Sequence, residues 1–252
     1  MMKRKRSVLC LGLFVLSIFY GGCATQQQTS FKAVEQKTHS ALIPVSKSLK
    51  WWMPRHQEVI NRVKQGNVDL IFIGDSITHH WEDKGSEVWQ QFYGGRNAVN
   101  MGFRGDRTQH VLWRLDNGEV DGISPKVAVL LIGTNNHPPR NRTEEISDGI
   151  IAVCAKLRKK LPETKILLLA IFPRSPRPCE MRDQLSFANK TVATIADGKM
   201  IHYLDIGDKF LEPDKSISKE IMPDYLHLTP KGYKIWALAI EPKLTELLAE
   251  KK

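Results

Sequence analysis

A serine in the first third of the chain is the first residue that could carry out chemistry. Ser76 stands directly after Gly74-Asp75 at the end of an apolar run. A serine hydroxyl becomes a useful nucleophile when a base takes its proton, and N–H groups at a helix start favour the negative charge that develops. The alternative is structural, because serine or aspartate after a strand often caps the next helix. The GDS run alone leaves both interpretations open.

Near the C-terminus, Asp224 and His227 could supply the base that Ser76 needs. They are three residues apart in the run PDYLHLTP, so a single irregular turn can bring the carboxylate to the imidazole. The carboxylate would hold the ring in the tautomer that accepts the serine proton. The alternative is that His227 is an ordinary polar residue before a final helix that starts at Thr229-Pro230.

Two further residues could stabilise the oxyanion of an acyl transfer. Asn135, in the run GTNN, has a side-chain amide that can donate a hydrogen bond, and Gly102, in NMG, has a sterically open N–H. Each is also a common turn residue. Together with Ser76, Asp224 and His227, however, they form one set of residues that all follow strand ends or lie in the last loop.

The elements that must position these residues alternate along the chain. Short apolar runs predict strands over 68–73, 98–101, 127–132, 165–171 and 201–205. Helical patterns lie near 55–65, 86–93, 107–116, 144–161, 183–197 and 230–249. This alternation predicts an α/β fold, a three-layer α/β/α sandwich with a flavodoxin-like five-stranded parallel sheet. Ligands bind in such sheets where the strand order reverses, beside the strand ends that Ser76 and Asn135 follow.

The first 22 residues predict an export signal. Four basic residues at 3–6 precede an uncharged, mostly apolar run over 7–20, which is shorter than the about 20 apolar residues that span a bilayer. The next residues, YGGC, resemble a bacterial lipobox, although Tyr20 replaces its usual aliphatic residue. The favoured prediction is a lipoprotein anchored to a membrane through Cys23. Cleavage after Ala24 with secretion, or a retained anchor, are the alternatives.

Residues 23–50 are rich in Gln, Thr, Ser and Lys, and this composition predicts a tether before a folded domain over 51–252. Trp51 and Trp52 are predicted to latch onto that domain. Among the remaining cysteines, Cys154 lies in an apolar helical pattern that favours a buried free thiol. A bridge from it to Cys179 is the alternative that an oxidising compartment permits.

The net charge of the chain is +10, and much of the excess comes from the signal. Removal of residues 1–22 leaves 33 Lys and Arg against 27 Asp and Glu, a charge of +6. Blocks of basic residues interleaved with aromatics are missing from the sequence, which argues against a nucleic-acid partner. No CxxC or HExxH spacing suggests a metal site.

The four segments resemble the blocks of the SGNH (GDSL-type) hydrolase family over about 68–248. Ser76 matches the first block, Gly102 the second, Asn135 the third, and Asp224 with His227 the last. The runs GDRTQHVLWRLDNGE, GTNNH and LDIGDKF are most similar to platelet-activating-factor acetylhydrolase catalytic subunits and their bacterial relatives. The resemblance implies a Ser-Asp-His triad, an oxyanion hole from the Ser76 and Gly102 amides and the Asn135 side chain, and no metal or organic cofactor.

The resemblance also implies a small-molecule ester as substrate, with a short, chiefly acetyl, acyl group on a glycan or a small lipid. A long-acyl lysophospholipase or thioesterase and a catalytically silent surface-binding module are the alternatives. The sequence does not indicate an oligomeric state. Residues near the signature positions are candidates for the substrate rim, although Asp75 could instead order its loop. They are Asp75, Arg104, Asn136 and Arg174.

Arg104 and the segment 181–189 depart from the family pattern, which affects specificity more than activity. Arg174, together with Arg177 and Arg182, surrounds a Pro-rich loop and could contact an anionic alcohol. Solvated loop charges are the simpler interpretation of these three arginines.

Overall fold

The computed structural model describes residues 38–249. The predicted export signal over 1–22 and the lipid-anchor site Cys23 lie outside the described residues and stay predictions. Within residues 38–249, none of the helices combines the length and the hydropathy that crossing a bilayer requires.

Five parallel strands form one sheet, as the sequence predicts. They are β1 (Leu70–Gly74), β2 (Ala98–Gly102), β3 (Val127–Leu131), β4 (Lys165–Leu169) and β5 (Ile201–Leu204). Their order in the sheet is β2-β1-β3-β4-β5, which confirms the flavodoxin-like topology. The register pairs Gly74 with Gly102 on one side and with Leu131 on the other. The loops after β1, β2 and β3 therefore leave the sheet side by side.

Helices cover both faces of the sheet and complete the predicted three-layer sandwich. They are α1 (Trp52–Lys64), α2 (Ser76–His79), α3 (Ser86–Tyr93), α4 (Thr108–Asp116), α5 (Thr143–Lys160), α6 (Glu180–Ala193) and α7 (Pro230–Ala249). The sequence predicts all of these within a few residues except α2, which is a single turn. Short 3₁₀ turns lie at Ser40–Leu42, His80–Glu82, Thr134–Asn136 and Gly207–Phe210.

Alternate residues of each strand feed two separate apolar cores. Ile71 and Ile73 of β1 pack in the core that includes residues of α1, α4, α5 and α6. Leu70 and Phe72 point to the opposite face, where they pack with residues of α3 and α7. All five residues of β1 and of β3 are buried, which explains their continuous apolar runs.

Residues 38–50, which the sequence assigns to the tether, are packed against the domain. Ala41 is fully buried, and its carbonyl accepts a hydrogen bond from Thr108 Oγ1 at 2.9 Å. Lys47 Nζ lies 3.4 Å from the carboxylate of Asp106. The boundary at 51 is therefore too late, because a polar segment can be held by hydrogen bonds and ion pairs that leave no apolar periodicity. The rest of the predicted tether lies outside the described residues.

Only one of the two tryptophans predicted to latch onto the domain is buried. Trp52 is fully buried and donates from Nε1 to Asp106 at 2.8 Å, whereas Trp51 is 37% exposed. Cys154 and Cys179 are both free thiols, and Cys154 is buried. The favoured prediction of a buried free thiol at Cys154 agrees with this arrangement.

Candidate active site

A chain of hydrogen bonds joins three of the predicted site residues. Ser76 Oγ lies 2.8 Å from His227 Nε2, and His227 Nδ1 lies 2.6 Å from Asp224 Oδ2. These contacts connect the loop after β1 with the loop before α7, 151 positions apart in sequence. The order hydroxyl, imidazole, carboxylate allows a proton to pass from the serine to a histidine whose tautomer the carboxylate controls.

Ser76 is the first residue of α2, and its neighbour Asp75 is the helix cap. Asp75 Oδ1 accepts the backbone N–H of Ile77 at 2.9 Å, while no described residue pairs with Asp75 Oδ2. The Ser76 hydroxyl is consequently free for His227, and as the first helical residue Ser76 has no partner for its N–H within the helix. The cap interpretation of the GDS run holds for the aspartate and not for the serine.

Asp75 is 1% exposed, so the prediction that it belongs to the substrate rim is wrong. Burial raises the pKa of Asp75 to about 7, against the Ile77 hydrogen bond, which lowers it. A substrate could not contact a carboxyl group that is buried to this extent. Its structural function is to start α2, as the shortness of the β1–α2 connection requires.

The loop that carries Asp224 and His227 closes on itself. Asp224 Oδ1 accepts the backbone amides of Leu226 and His227 at 3.1 and 2.8 Å. Partial burial raises the pKa of Asp224, but the hydrogen bonds from His227 outweigh it and the net shift is downward. The carboxylate therefore stays ionised and keeps the imidazole oriented.

A second loop supports this turn from outside. Tyr225 has a left-handed backbone with φ of 59°, and its carbonyl accepts the N–H of Ser175, whose φ is 72°. The Arg182 guanidinium then donates to the carbonyls of Arg174, Ser175 and Lys215 at 2.5 to 2.6 Å. Arg182 is thus tied to backbone carbonyls and is neither a solvated loop charge nor a free contact for an anionic alcohol.

His80 packs beside His227, with ring centroids 5.1 Å apart. Burial lowers the pKa of His80, and the neighbouring His227 lowers it further. A neutral His80 does not place a permanent second cation beside the imidazole that must accept the serine proton. No motif in the sequence distinguishes this histidine as a site residue.

The side-chain amide of Asn135 uses only one of its two N–H donors within the described residues. Its Nδ2 donates to the carbonyl of Asp106 at 3.0 Å, and the side chain is partly exposed. Because the Asn amide nitrogen carries two hydrogens, one of them stays available for a ligand.

Gly102 does not offer the free amide that the sequence analysis assigned to it. Its N–H donates to Asn100 Oδ1 at 2.8 Å in a buried contact. A Cβ at this position would lie 2.2 Å from the backbone nitrogen of His79, so only glycine lets β2 approach α2 so closely. The structure therefore contradicts the predicted oxyanion role of Gly102, and the residue is required for packing.

Gly105, three residues later, has the properties that Gly102 lacks. It is exposed with φ of +67°, and no hydrogen bond joins its amide to any of residues 38–249. Gly105 and Asn135 line the same cleft. The sequence signal for Gly105 is that NMGFRGD contains two glycines. The pattern does not indicate which of the two has an unpaired amide.

A buried charged network lies under the Gly105 and Asn135 side of the site. Asp106 accepts from Trp52 Nε1 and, at 3.0 Å, from Arg114 Nε. Arg114 also donates to Glu119, and its guanidinium lies 4.0 Å from the centre of the Phe103 ring. Asp106, Arg114 and Glu119 are all fully buried. The network fixes the carbonyl of Asp106 to which Asn135 is bonded.

Asn136, predicted for the substrate rim, is fully buried, so that prediction is wrong. Its side-chain oxygen accepts the N–H of Thr108 at 3.0 Å, and its Nδ2 donates to Gln109 and to Asn141 at 3.2 and 3.0 Å. Asn136 instead ties the loop after β3 to the start of α4 and leaves Asn135 facing the site.

Arg174 and Arg104 keep positions compatible with the rim. Arg174 Nη1 donates to the carbonyl and hydroxyl of Thr134 at 3.3 and 3.2 Å. Burial lowers the pKa of Arg174, and the charges of Asp75 and Asp224 oppose that shift. Arg104 is exposed and lines a groove with His79. Their contact with a substrate stays a prediction.

Known proteins match most of the described part of the chain. The profile of the GDSL-like lipase/acylhydrolase family matches residues 72–235. Platelet-activating factor acetylhydrolase IB subunit alpha1 from Rattus norvegicus is 36% identical over 200 residues, which are 79% of this chain and 84% of the relative. The alpha2 subunit from the same species is 34% identical and covers 79% and 86% of the two chains.

Two solved structures share the fold at lower identity. A GDSL-like lipase from Bacteroides thetaiotaomicron has a TM-score of 0.60 and 17% identity, covering 78% of this chain and 97% of its own. A variant of an acetylxylan esterase from Geobacillus stearothermophilus has a TM-score of 0.54 and 17% identity, with 74% and 96% covered. The profile match and the acetylhydrolase relatives establish that this chain belongs to the GDSL-like lipase/acylhydrolase family of hydrolases.

Proposed function

We propose that the chain is a serine esterase that hydrolyses short acyl, chiefly acetyl, esters through Ser76, His227 and Asp224. The observation that carries the proposal is the continuous hydrogen-bonded chain from Ser76 Oγ through His227 to Asp224. His227 takes the proton of Ser76 as the serine oxygen attacks the ester carbonyl. It then returns that proton to the leaving alcohol, and water releases the acyl group by the reverse path.

The developing oxyanion would be bound by three N–H groups. These are the Ser76 amide, the Asn135 side chain and the Gly105 amide, which takes the place of Gly102. Asn135 is included because one hydrogen of its side-chain amide has no partner among the described residues. Gly105 is included because its backbone amide is unpaired there. One donor of this kind contributes about 3–4 kcal/mol to transition-state stabilisation in comparable sites.

The acetyl preference rests on the relatives, which include platelet-activating factor acetylhydrolase subunits and, among solved structures, an acetylxylan esterase. These names cover a lipid ester and a glycan ester, the two substrate classes proposed for this chain. A series of 4-nitrophenyl esters of increasing acyl length tests the preference. We expect kcat/KM to be highest for the acetate, and a maximum at long chains would favour the lysophospholipase or thioesterase alternative.

Replacement of the nucleophile tests the reaction itself. Ser76→Ala is expected to lower turnover of 4-nitrophenyl acetate by about 10⁴-fold or more and to abolish labelling by a fluorophosphonate probe. Ser86→Ala is a matched control, because Ser86 also begins a helix but is exposed. Retained turnover in Ser76→Ala would refute the proposal. A wild-type chain that neither reacts with the probe nor hydrolyses the ester would favour the silent binding module.

A further inference from the structure

A cleft of about 470 Å³ opens beside the proposed oxyanion donors. Gly105 and Asn135 are among the residues that line it. Three cationic side chains from three separate segments of the chain also line it. They are Lys47, Arg107 and Arg140.

Neither Arg107 nor Arg140 forms an ion pair with a carboxylate of residues 38–249, where Asp106 pairs instead with Lys47 and Arg114. The two guanidinium groups also act on each other: burial lowers the pKa of Arg107, the charge of Arg140 lowers it further, and Asp106 only partly opposes this. Like charges held together at the wall of a cleft are unfavourable until an anion approaches both. Elsewhere on the surface, Arg142 is paired with Glu145 at 3.1 Å.

Lys47 has a carboxylate neighbour, but that carboxylate is already shared. Its Nζ lies 3.4 Å from Asp106, which also accepts hydrogen bonds from Trp52 and Arg114. Lys47 Nζ further donates to the carbonyl of Arg104 at 3.1 Å, which holds the ammonium group at the cleft wall. The carboxylate is fully buried behind the wall, so the open face of the cleft presents cations.

We infer that this cleft binds a carboxylate or phosphate group carried by the ester substrate, through Arg107, Arg140 and Lys47. The inference rests on the proposed esterase function, because it places the anion next to Gly105 and Asn135. Arginine is suited to this function, since its planar fork of N–H donors matches the oxygens of both anions. The substrate class is therefore an anionic ester, either an acidic glycan or a phosphate-bearing lipid.

Paired chromogenic esters test the inference with the full chain. The first pair places the charge on the alcohol: 3-carboxy-4-nitrophenyl acetate is compared with 3-carbamoyl-4-nitrophenyl acetate, its neutral counterpart. The second pair places the charge on the acyl group: the half ester of adipic acid with 4-nitrophenol is compared with 4-nitrophenyl hexanoate. We expect kcat/KM to favour the carboxylate by about tenfold in at least one pair, which identifies the half of the ester that enters the cleft.

Removing the cations should reduce that ratio. Arg107→Gln and Arg140→Gln are each expected to lower the anionic-to-neutral ratio about threefold, and the double variant should bring it close to one. Arg142→Gln is the matched control, because it removes the same charge two residues from Arg140 at a side chain that is 80% exposed and outside the cleft. Inhibition by inorganic phosphate and by benzoate, measured with the neutral acetate, separates phosphate recognition from carboxylate recognition.

Binding without turnover distinguishes the two proposals. Calorimetry with Ser76→Ala and 3-carboxy-4-nitrophenyl acetate should detect an affinity that is lost when Arg107→Gln and Arg140→Gln are added. Equal kcat/KM for charged and neutral esters in both pairs would overturn the anionic cleft while leaving the esterase proposal intact. An equal loss in Arg142→Gln would also overturn it. If no ester is hydrolysed, the esterase proposal fails, and the calorimetric comparison still decides whether the cleft binds anions.

Discussion

The two sides of the candidate site are built by opposite means. On the side of Asn135 and Gly105, the support is a charged network in which Asp106 and Arg114 are both 0% exposed. On the side of His227, the support is an exposed turn in which the Asp224 side chain is 54% exposed. Buried ion pairs hold the first side in place. The second side is held by hydrogen bonds to the backbone carbonyls of its loops.

Because of this difference, one side of the site should contribute mainly to the stability of the fold and the other mainly to catalysis. A buried network opens only when much of the fold opens, so it holds the proposed oxyanion donors rigidly and contributes to global stability. An exposed loop can open by itself at a smaller free-energy cost, so its contacts affect the orientation of His227 more than the stability of the fold. Changes on the two sides are therefore expected to differ in what they impair.

The largest effect is expected on the buried side. Arg114→Gln would remove the buried cation that Asp106 and Glu119 share and leave Lys47 as the ion-pair partner of Asp106, so we expect the free energy of unfolding to fall by about 3–5 kcal/mol. Urea denaturation followed by circular dichroism measures this. Arg96→Gln is the control, because Arg96 pairs with Glu241 at a partly exposed surface site and should cost less than about 1 kcal/mol. Equal losses in the two variants would remove the distinction between the buried network and a surface pair.

A smaller, pH-dependent effect is expected at the buried Asp75, which precedes the serine. Its pKa is raised from 3.8 to about 7, so between these values the folded chain keeps a proton that the unfolded chain has lost. Stability from this group is present at low pH and falls as the pH rises through that window. Asp75→Asn keeps an oxygen for the Ile77 amide but cannot ionise. We expect the variant to gain about 2–4 kcal/mol relative to wild type between pH 4 and pH 8.

Asp205→Asn is the control for this prediction. Asp205 also accepts the amide two residues later, from Gly207 at 2.8 Å, but it is exposed. Urea denaturation at pH 4, 6 and 8 for both variants gives the comparison. A stability difference between Asp75→Asn and wild type that does not change with pH would contradict the buried, protonated carboxyl group.

The smallest effect is expected on the exposed side, and it should appear in turnover. Arg182→Gln removes the guanidinium that ties together the loops beside Tyr225, so we expect kcat for 4-nitrophenyl acetate to fall about three- to tenfold. KM should change little, because Arg182 acts through the orientation of His227 and does not contact the ester. Arg177→Gln, an exposed arginine on the same loop, should leave kcat unchanged. A rise in KM with constant kcat would contradict the positioning function.

Much of the fold could be predicted because its signals are local. The buried strands are continuous apolar runs that end at glycine or polar residues, and their alternation with helices leaves few topologies. Asp224 and His227 could be predicted from their three-residue spacing, and Ser76 and Asn135 from their positions after strands. In a parallel sheet the strand ends meet at one edge, so polar residues after β1 and β3 must converge.

Each prediction that the structure contradicts was wrong for a physical reason. Gly102 and Gly105 occur in one short loop, and only the packing of β2 against α2 determines which amide is paired. Asp75 and Asn136 are polar residues next to reactive positions, and their burial depends on partners that are distant in sequence. The contacts of residues 38–50 are polar, so they leave no periodic apolar pattern that could be recognised.

For this protein, the alternating apolar runs predicted the parallel sheet and its strand order, because buried strands and crossover connections leave few topologies. The family was predicted from the motif segments that contain Ser76, Gly102, Asn135 and His227. The folded structure was needed to show that the Gly102 amide is paired and the Gly105 amide open, and that Arg182 binds carbonyls. It alone brought Lys47, Arg107 and Arg140 to one cleft. These properties depend on contacts between residues that are distant in sequence, and local sequence patterns do not encode such contacts.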